Sequence, residues 1–145
     1  MKPFIIYLIP LLLLFACQVE PEPIAFGKDA CEHCRMLIMD PKFGAEIVTE
    51  KGRIYKFDDV NCKRNFIAEN GLSEENIKYN LVIDFSEPQT LINAERAFYV
   101  RSEEIKSPMG SQIAAFNSAE AAQQMLSRWS GGKILDYFQM RAAVE

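Results

Sequence analysis

Residues 53–61 read RIYKFDDVN and residues 112–120 read QIAAFNSAE. Each is a short apolar run that ends in an aromatic, Phe57 or Phe116, followed at once by two residues able to cap a helix. Ahead of the first stretch, Ala45 to Glu50 has strand character, and Lys51-Gly52 makes a tight connection, so a hairpin leads into the cap. Behind it a helix is expected from about Val60 to Glu69, stopped by Asn70-Gly71, and then an apolar strand at Leu81 to Phe85. The second stretch has the same surroundings. Ala97 to Val100 reads as a strand, Ser107-Pro108-Met109-Gly110 as a turn and Ser111 to Phe116 as the returning strand. Asn117 and Glu120 then offer a capping box. The helix that follows puts Ala119, Ala122, Leu126 and Trp129 on one face, ends at Gly131-Gly132 and leads to a short strand at Lys133 to Leu135. Two β-β-α-β units in tandem, over 30–92 and 93–145, therefore predict an α+β fold that forms one compact unit.

The chain begins with one lysine and an apolar run from Phe4 to Ala16, too short to span a bilayer and shaped like the core of a secretion signal. The run ends Leu14-Phe15-Ala16-Cys17, similar to a bacterial lipobox, in which the cysteine is acylated and becomes the mature N-terminus. Residues 1–16 are read as the leader and 17–29, with Pro21 and Pro23, as the lipidated cysteine and a flexible tether. Gln18 after the cysteine is not the aspartate that marks inner-membrane retention, so an outer-membrane anchor facing the periplasm is expected. Losing Lys2 with the leader moves the formal net charge from −4 to −5, which argues against nucleic acid as a partner.

Outside the cytoplasm, neighbouring thiols oxidise unless a metal or a reductant protects them. Cys31, Cys34 and Cys62 are an odd number, so a pure disulfide scaffold does not account for them. Residues 31–40, CEHCRMLIMD, add the only histidine and two methionines. A structural zinc site would have to draw on Cys31, His33, Cys34 and Cys62. A thioredoxin-like site needs a helix after the cysteines, and Asp40-Pro41 breaks the chain there. The thioether distinguishes the metals, because it is a poor zinc ligand and suits Cu(I) beside a thiolate. In an extended stretch Cys34 and Met36 face the same side, while Met39 faces away and reads as core. The candidate for a third soft donor is Met109, in a Pro-stiffened turn where no core needs a methionine, with packing on the loop surface as its alternative role. Cys31, His33 and Cys62 are secondary candidates; Cys62, on the first helix, is read first as a small buried residue, and Asp58 and Asp59 as helix caps.

Taken together, the lipobox, CEHCRMLIMDPKFGAEIV, GRIYKFDD, AERAFYV, SPMGSQIAAF and a late GGK resemble the NosL family over nearly all of the mature chain. That resemblance implies two β-β-α-β units and a non-enzymatic Cu(I)-binding lipoprotein. It also implies a copper chaperone for the copper-sulfide centre of nitrous oxide reductase, working with the membrane transporter and assembly proteins of that pathway. The family's Cys-x-Met pair falls on Cys34 and Met36, and its Pro-Met-Gly methionine on Met109. The chain departs from the family at Arg35, where glycine is usual, and Cys31 is an addition. Organomercurial lyase shares the fold and would use two thiols and an acid, here Cys31, Cys34 and Asp58, but it leaves the methionines without a role.

Overall fold

In a computed structural model, which describes residues 19–144, the expected hairpin pairs β1 (Ala45–Thr49) with β2 (Ile54–Phe57) antiparallel, Ala45 opposite Phe57 and Val48 opposite Ile54. The leader and Cys17 lie outside the described residues. The chain continues through α1 (Val60–Asn70), a single 3-10 turn, β3 (Ile77–Ile83) and β4 (Leu91–Asn93). The second half follows with β5 (Phe98–Arg101), β6 (Ile113–Phe116), α2 (Ala119–Leu126), β7 (Lys133–Leu135) and α3 (Tyr137–Ala143).

The repeat is present in the topology. The first sheet has the order β2-β1-β3-β4 and the second β6-β5-β7, so in each the first strand lies between the second and the third, all antiparallel. Each helix starts from a short oxygen side chain just after the aromatic. Asp59 accepts from the Asn61 amide and Ser118 from the Ala121 amide, each satisfying a helix-end N–H. The second cap is therefore Ser118, one residue later than the expected Asn117. Asn117 instead gives its own amide to Asp84 Oδ2 in the first half. α1 ends as expected at Gly71, which takes the left-handed conformation at φ 58. α2 stops at Leu126, so Trp129 packs from beyond the helix end, edge-on to Phe85.

One joint holds the two sheets side by side. Asp84 makes a parallel bridge with Ala115, and the Phe85 amide donates to the Ala115 carbonyl at 2.8 Å. The larger core cluster draws on both halves, with Phe57, Val82 and Cys62 from the first and Tyr99, Ile113 and Leu135 from the second. Burying each such large apolar side chain contributes roughly 1.5–3 kcal/mol. The fold is thus one α+β unit made of two similar parts.

Residues 19–24, read from sequence as part of a tether, lie along the sheet. The Val19 carbonyl accepts from Lys78 Nζ at 3.2 Å, and Tyr79 OH donates to Glu20 Oε2 at 2.9 Å. The Glu22 amide donates to Glu46 Oε1 at 3.1 Å, and Lys56 Nζ donates to the Pro23 carbonyl at 3.1 Å. Ile24 is buried. Among the described residues no helix is long and apolar enough to cross a membrane.

Candidate metal centre

Residues 31–36 form a closed turn. The Cys31 amide donates to the Met36 carbonyl at 2.8 Å, the Arg35 amide to the Cys31 carbonyl at 2.9 Å, and Ala30 bridges Leu37. The Glu32 amide fastens the turn to the end of β2 by donating to the Lys56 carbonyl at 2.9 Å. The expected extended stretch is therefore absent, and its alternation does not apply. Arg35 has φ +64, the left-handed region that favours glycine, so the backbone keeps the shape for which the family's usual residue is suited. Met36 is half exposed, and Met39, expected in the core, is 64% exposed.

The turn carries Cys31 and Cys34 to the first turn of α1, where Cys62 faces them. Their three Sγ atoms all lie within 4.8 Å of one another. Cys31 and Cys62 are buried, and Cys34 is partly open. Cys62, read from sequence first as a small buried residue and second as a candidate ligand, is buried and lies in the cluster, with partners about thirty residues away in the chain.

The electrostatics of the trio are uneven. Cys62 donates its S–H toward Cys31, and against the cost of burial the backbone amides of Cys34, Asp58 and His33 add further support, which together hold the Cys31 thiol down at about 4. The same contact pushes Cys62 up, since it keeps the shared proton. Burial, and then the Cys31 sulfur, raise Cys34. Cys31 is thus the sulfur of the trio that gives up its proton most readily, beside the N-terminal end of α1. Asp58, also buried, is pushed up to about 6 by burial and then by the Cys31 charge.

Met109 reaches the same helix end from the other half. Its turn closes with the Gly110 amide donating to the Ser107 carbonyl at 3.2 Å, Gly110 having φ +72. Asp59 holds this turn, because its Oδ2 accepts from the Met109 amide at 3.1 Å and the Ser111 amide at 3.4 Å. Asn61 Nδ2 donates to the Met109 carbonyl at 3.3 Å. The cap therefore does more than the sequence suggested: one carboxylate starts α1 and pins the methionine turn against it. Met109 itself is half-buried and packs on the core cluster that contains Cys31 and Cys62.

His33 lies outside the sulfur trio. Its Nε2 is 3.2 Å from Glu69 Oε1, two turns along α1, while Nδ1 is buried without a hydrogen-bond partner among the described residues. The structure thus brings together Cys31, Cys34 and Cys62, docks the Met109 turn beside them, and leaves Met36 half exposed on the outer side of the turn. Three sulfurs, two of them buried and one partly open, fit a soft cation of low coordination number. They also meet the spacing of a thiolate-rich zinc site, in which metal–sulfur bonds are ~2.3 Å.

A family model described as NosL matches residues 23–144. Among solved structures the chain is similar to the copper chaperone NosL from Shewanella denitrificans, with TM-score 0.70 and 22% identity, covering 84% of this chain and 96% of that one. No curated protein sequence matches.

Proposed function

This chain belongs to the NosL family, and from that premise we propose that it is an extracytoplasmic, lipid-anchored carrier of Cu(I). In this reading it delivers copper for the copper-sulfide centre of nitrous oxide reductase, to the transporter and assembly proteins of that pathway. The observation that carries the reading is the meeting of Cys31, Cys34 and Cys62 with the Met109 turn at one helix end.

The chemistry is binding and ligand exchange, and no bond of a substrate is broken. Cu(I) accepts two or three soft ligands, and neutral thioethers bind it more weakly than thiolates do. Cys34 is the partly open sulfur of the trio and also belongs to the Cys34-Met36-Met109 set. Buried Cys31 and Cys62 hold the ion on the inner side of Cys34 and exclude water. The methionines offer weak ligands on the outer side. An ion moving outward past Cys34 trades thiolates for thioethers, which an incoming thiolate or imidazole then displaces.

One observation favours a second reading, a zinc-stapled lipoprotein. The three clustered thiols supply three of the four ligands of a thiolate-rich zinc site, for which His33, outside the trio, would have to turn inward. An anaerobic titration of the mature chain with Cu(I) against a chromophoric competitor, run beside Zn(II), separates the two. Carriage of copper requires one tight Cu(I) per chain that Met109→Leu weakens. Tight zinc, unfolding on chelation and indifference to Met109 would establish the zinc reading instead.

A further inference from the structure

The N-terminal segment is built into the fold in a way that a spacer would not require. Residues 19–24 run antiparallel to β1, from its far end to the end where the metal centre lies. Two glycines mark the course. A Cβ on Gly52, in the β1–β2 turn, would meet Val19 Cγ2 at 2.8 Å, and one on Gly44, just before β1, would meet Ile24 Cδ1 at 3.1 Å. Between them Glu46 is wholly buried beneath the segment, one carboxylate oxygen taking the Glu22 amide. Lys56, opposite Glu46 in the ladder, binds the Pro23 carbonyl at 3.1 Å and Asp29 at 2.8 Å. Lys78 and Tyr79 fix Val19 and Glu20. Every residue from 19 to 24 except Pro21 therefore makes a specific contact, and the segment is a strap.

A strap changes what an anchor does. Cys17 precedes Val19 by two residues, a chain length that reaches at most about 7 Å, and Val19 rests on the turn at Gly52. The cysteine turn is fastened at the other end of β2, at Lys56. From Arg53 to Phe57 the strand advances about 13 Å. A headgroup layer is roughly 5–8 Å deep on each side of a bilayer, so a centre at that distance clears it.

We propose that the strap seats the lipid anchor at the β1–β2 turn, so that the protein stands on the bilayer by residues 50–53 and holds its sulfur cluster at the opposite end of the hairpin. The proposal rests on acylation of Cys17. The surface it assigns is the hairpin tip, and its partner is the lipid headgroup layer. It also sets the kind of protein that exchanges metal with the site: one whose own ligands reach close to the membrane surface, because the centre cannot swing outward on a loose leader.

The test uses the full acylated chain in phosphatidylcholine vesicles, in which brominated acyl chains quench nearby tryptophan. One variant carries Lys51→Trp at the hairpin tip and another Lys106→Trp beside the methionine turn, with the emission of native Trp129 subtracted. The expected result is a loss of emission at position 51 and none at position 106. Loosening the strap with Val19→Gly and Glu20→Gly in the Lys51→Trp chain should reduce the quenching at 51. Equal quenching at both positions, with intact mass showing an acyl chain on Cys17, would overturn the strapped orientation and leave the anchor standing. A mass without an acyl chain would overturn both.

Discussion

The two halves have the same strand order and the same cap position after an aromatic, yet only the first carries chemistry of its own. Its cap is Asp59, whose side chain holds three amides, two of them from the other half. Ser118, the corresponding cap in the second half, holds the Ala121 amide within its own helix. The second half contributes a turn with one thioether, and the first contributes a closed turn, three thiols and the carboxylate that holds the other half's turn. The same scaffold thus serves two different ends: one half brings the sulfurs together, and the other docks a turn beside them.

The largest expected effect comes from removing the gathering half. Cys34→Ser deletes the sulfur common to both ligand sets, and Cu(I) affinity in competition with a chromophoric chelator should fall more than ~100-fold, beyond what loss of a mere supporting contact costs. Met109→Leu nearly keeps volume, so it should weaken Cu(I) about tenfold while the unfolding free energy from urea titration changes by less than about 1.5 kcal/mol. A mutation equally harmful to stability would mean that the turn is structural only.

The caps sharpen the contrast. Asp59→Ala removes a charged cap and leaves the Met109 and Ser111 amides unmatched, so a loss of about 2–3 kcal/mol is expected in urea unfolding, with weaker Cu(I) binding. Ser118→Ala should cost about 1 kcal/mol and leave copper unaffected. If the two cost the same, the halves are less different than the hydrogen bonds indicate.

Smaller still is the effect of pH on the strapped face. Burial raises the Glu46 carboxyl to about 7 from an ordinary 4.5. Between those values the folded chain keeps a proton that the unfolded chain has lost, so stability falls as pH rises through the window and is level above it. Asp58, raised to about 6, acts with the same sign. Glu46→Gln should therefore reduce the slope of the urea midpoint between about pH 4.5 and about pH 7 without abolishing it.

The element order was legible because turns, caps and alternation are local signals, and they recur in both halves. α3 carried such a signal too, since Asp136 and Gln139 form a reciprocal capping box, but its seven residues are short for a periodicity argument. Asn117 and Ser118 are equally good caps by type, and the choice is made by Asp84, which claims the Asn117 amide from a distant strand. Of the candidate centre, ligand chemistry singled out Cys34, Met36 and Met109, whereas the structure brings Cys34 together with Cys31 and Cys62 and docks the Met109 turn beside them. That arrangement was not legible, because Arg35 gives no hint of a left-handed backbone and Cys62 joins Cys31 only through tertiary packing. The strap was hidden by composition: a proline-rich leader looks alike whether it dangles or docks.

Asp59 gathers into one carboxylate the start of a helix, the seat of a thiol and the position of a turn fifty residues further along the chain. Such a site has no partial form. The Met109 and Ser111 amides find their acceptor only when the first half presents the start of its helix, so helix end and turn take their places together.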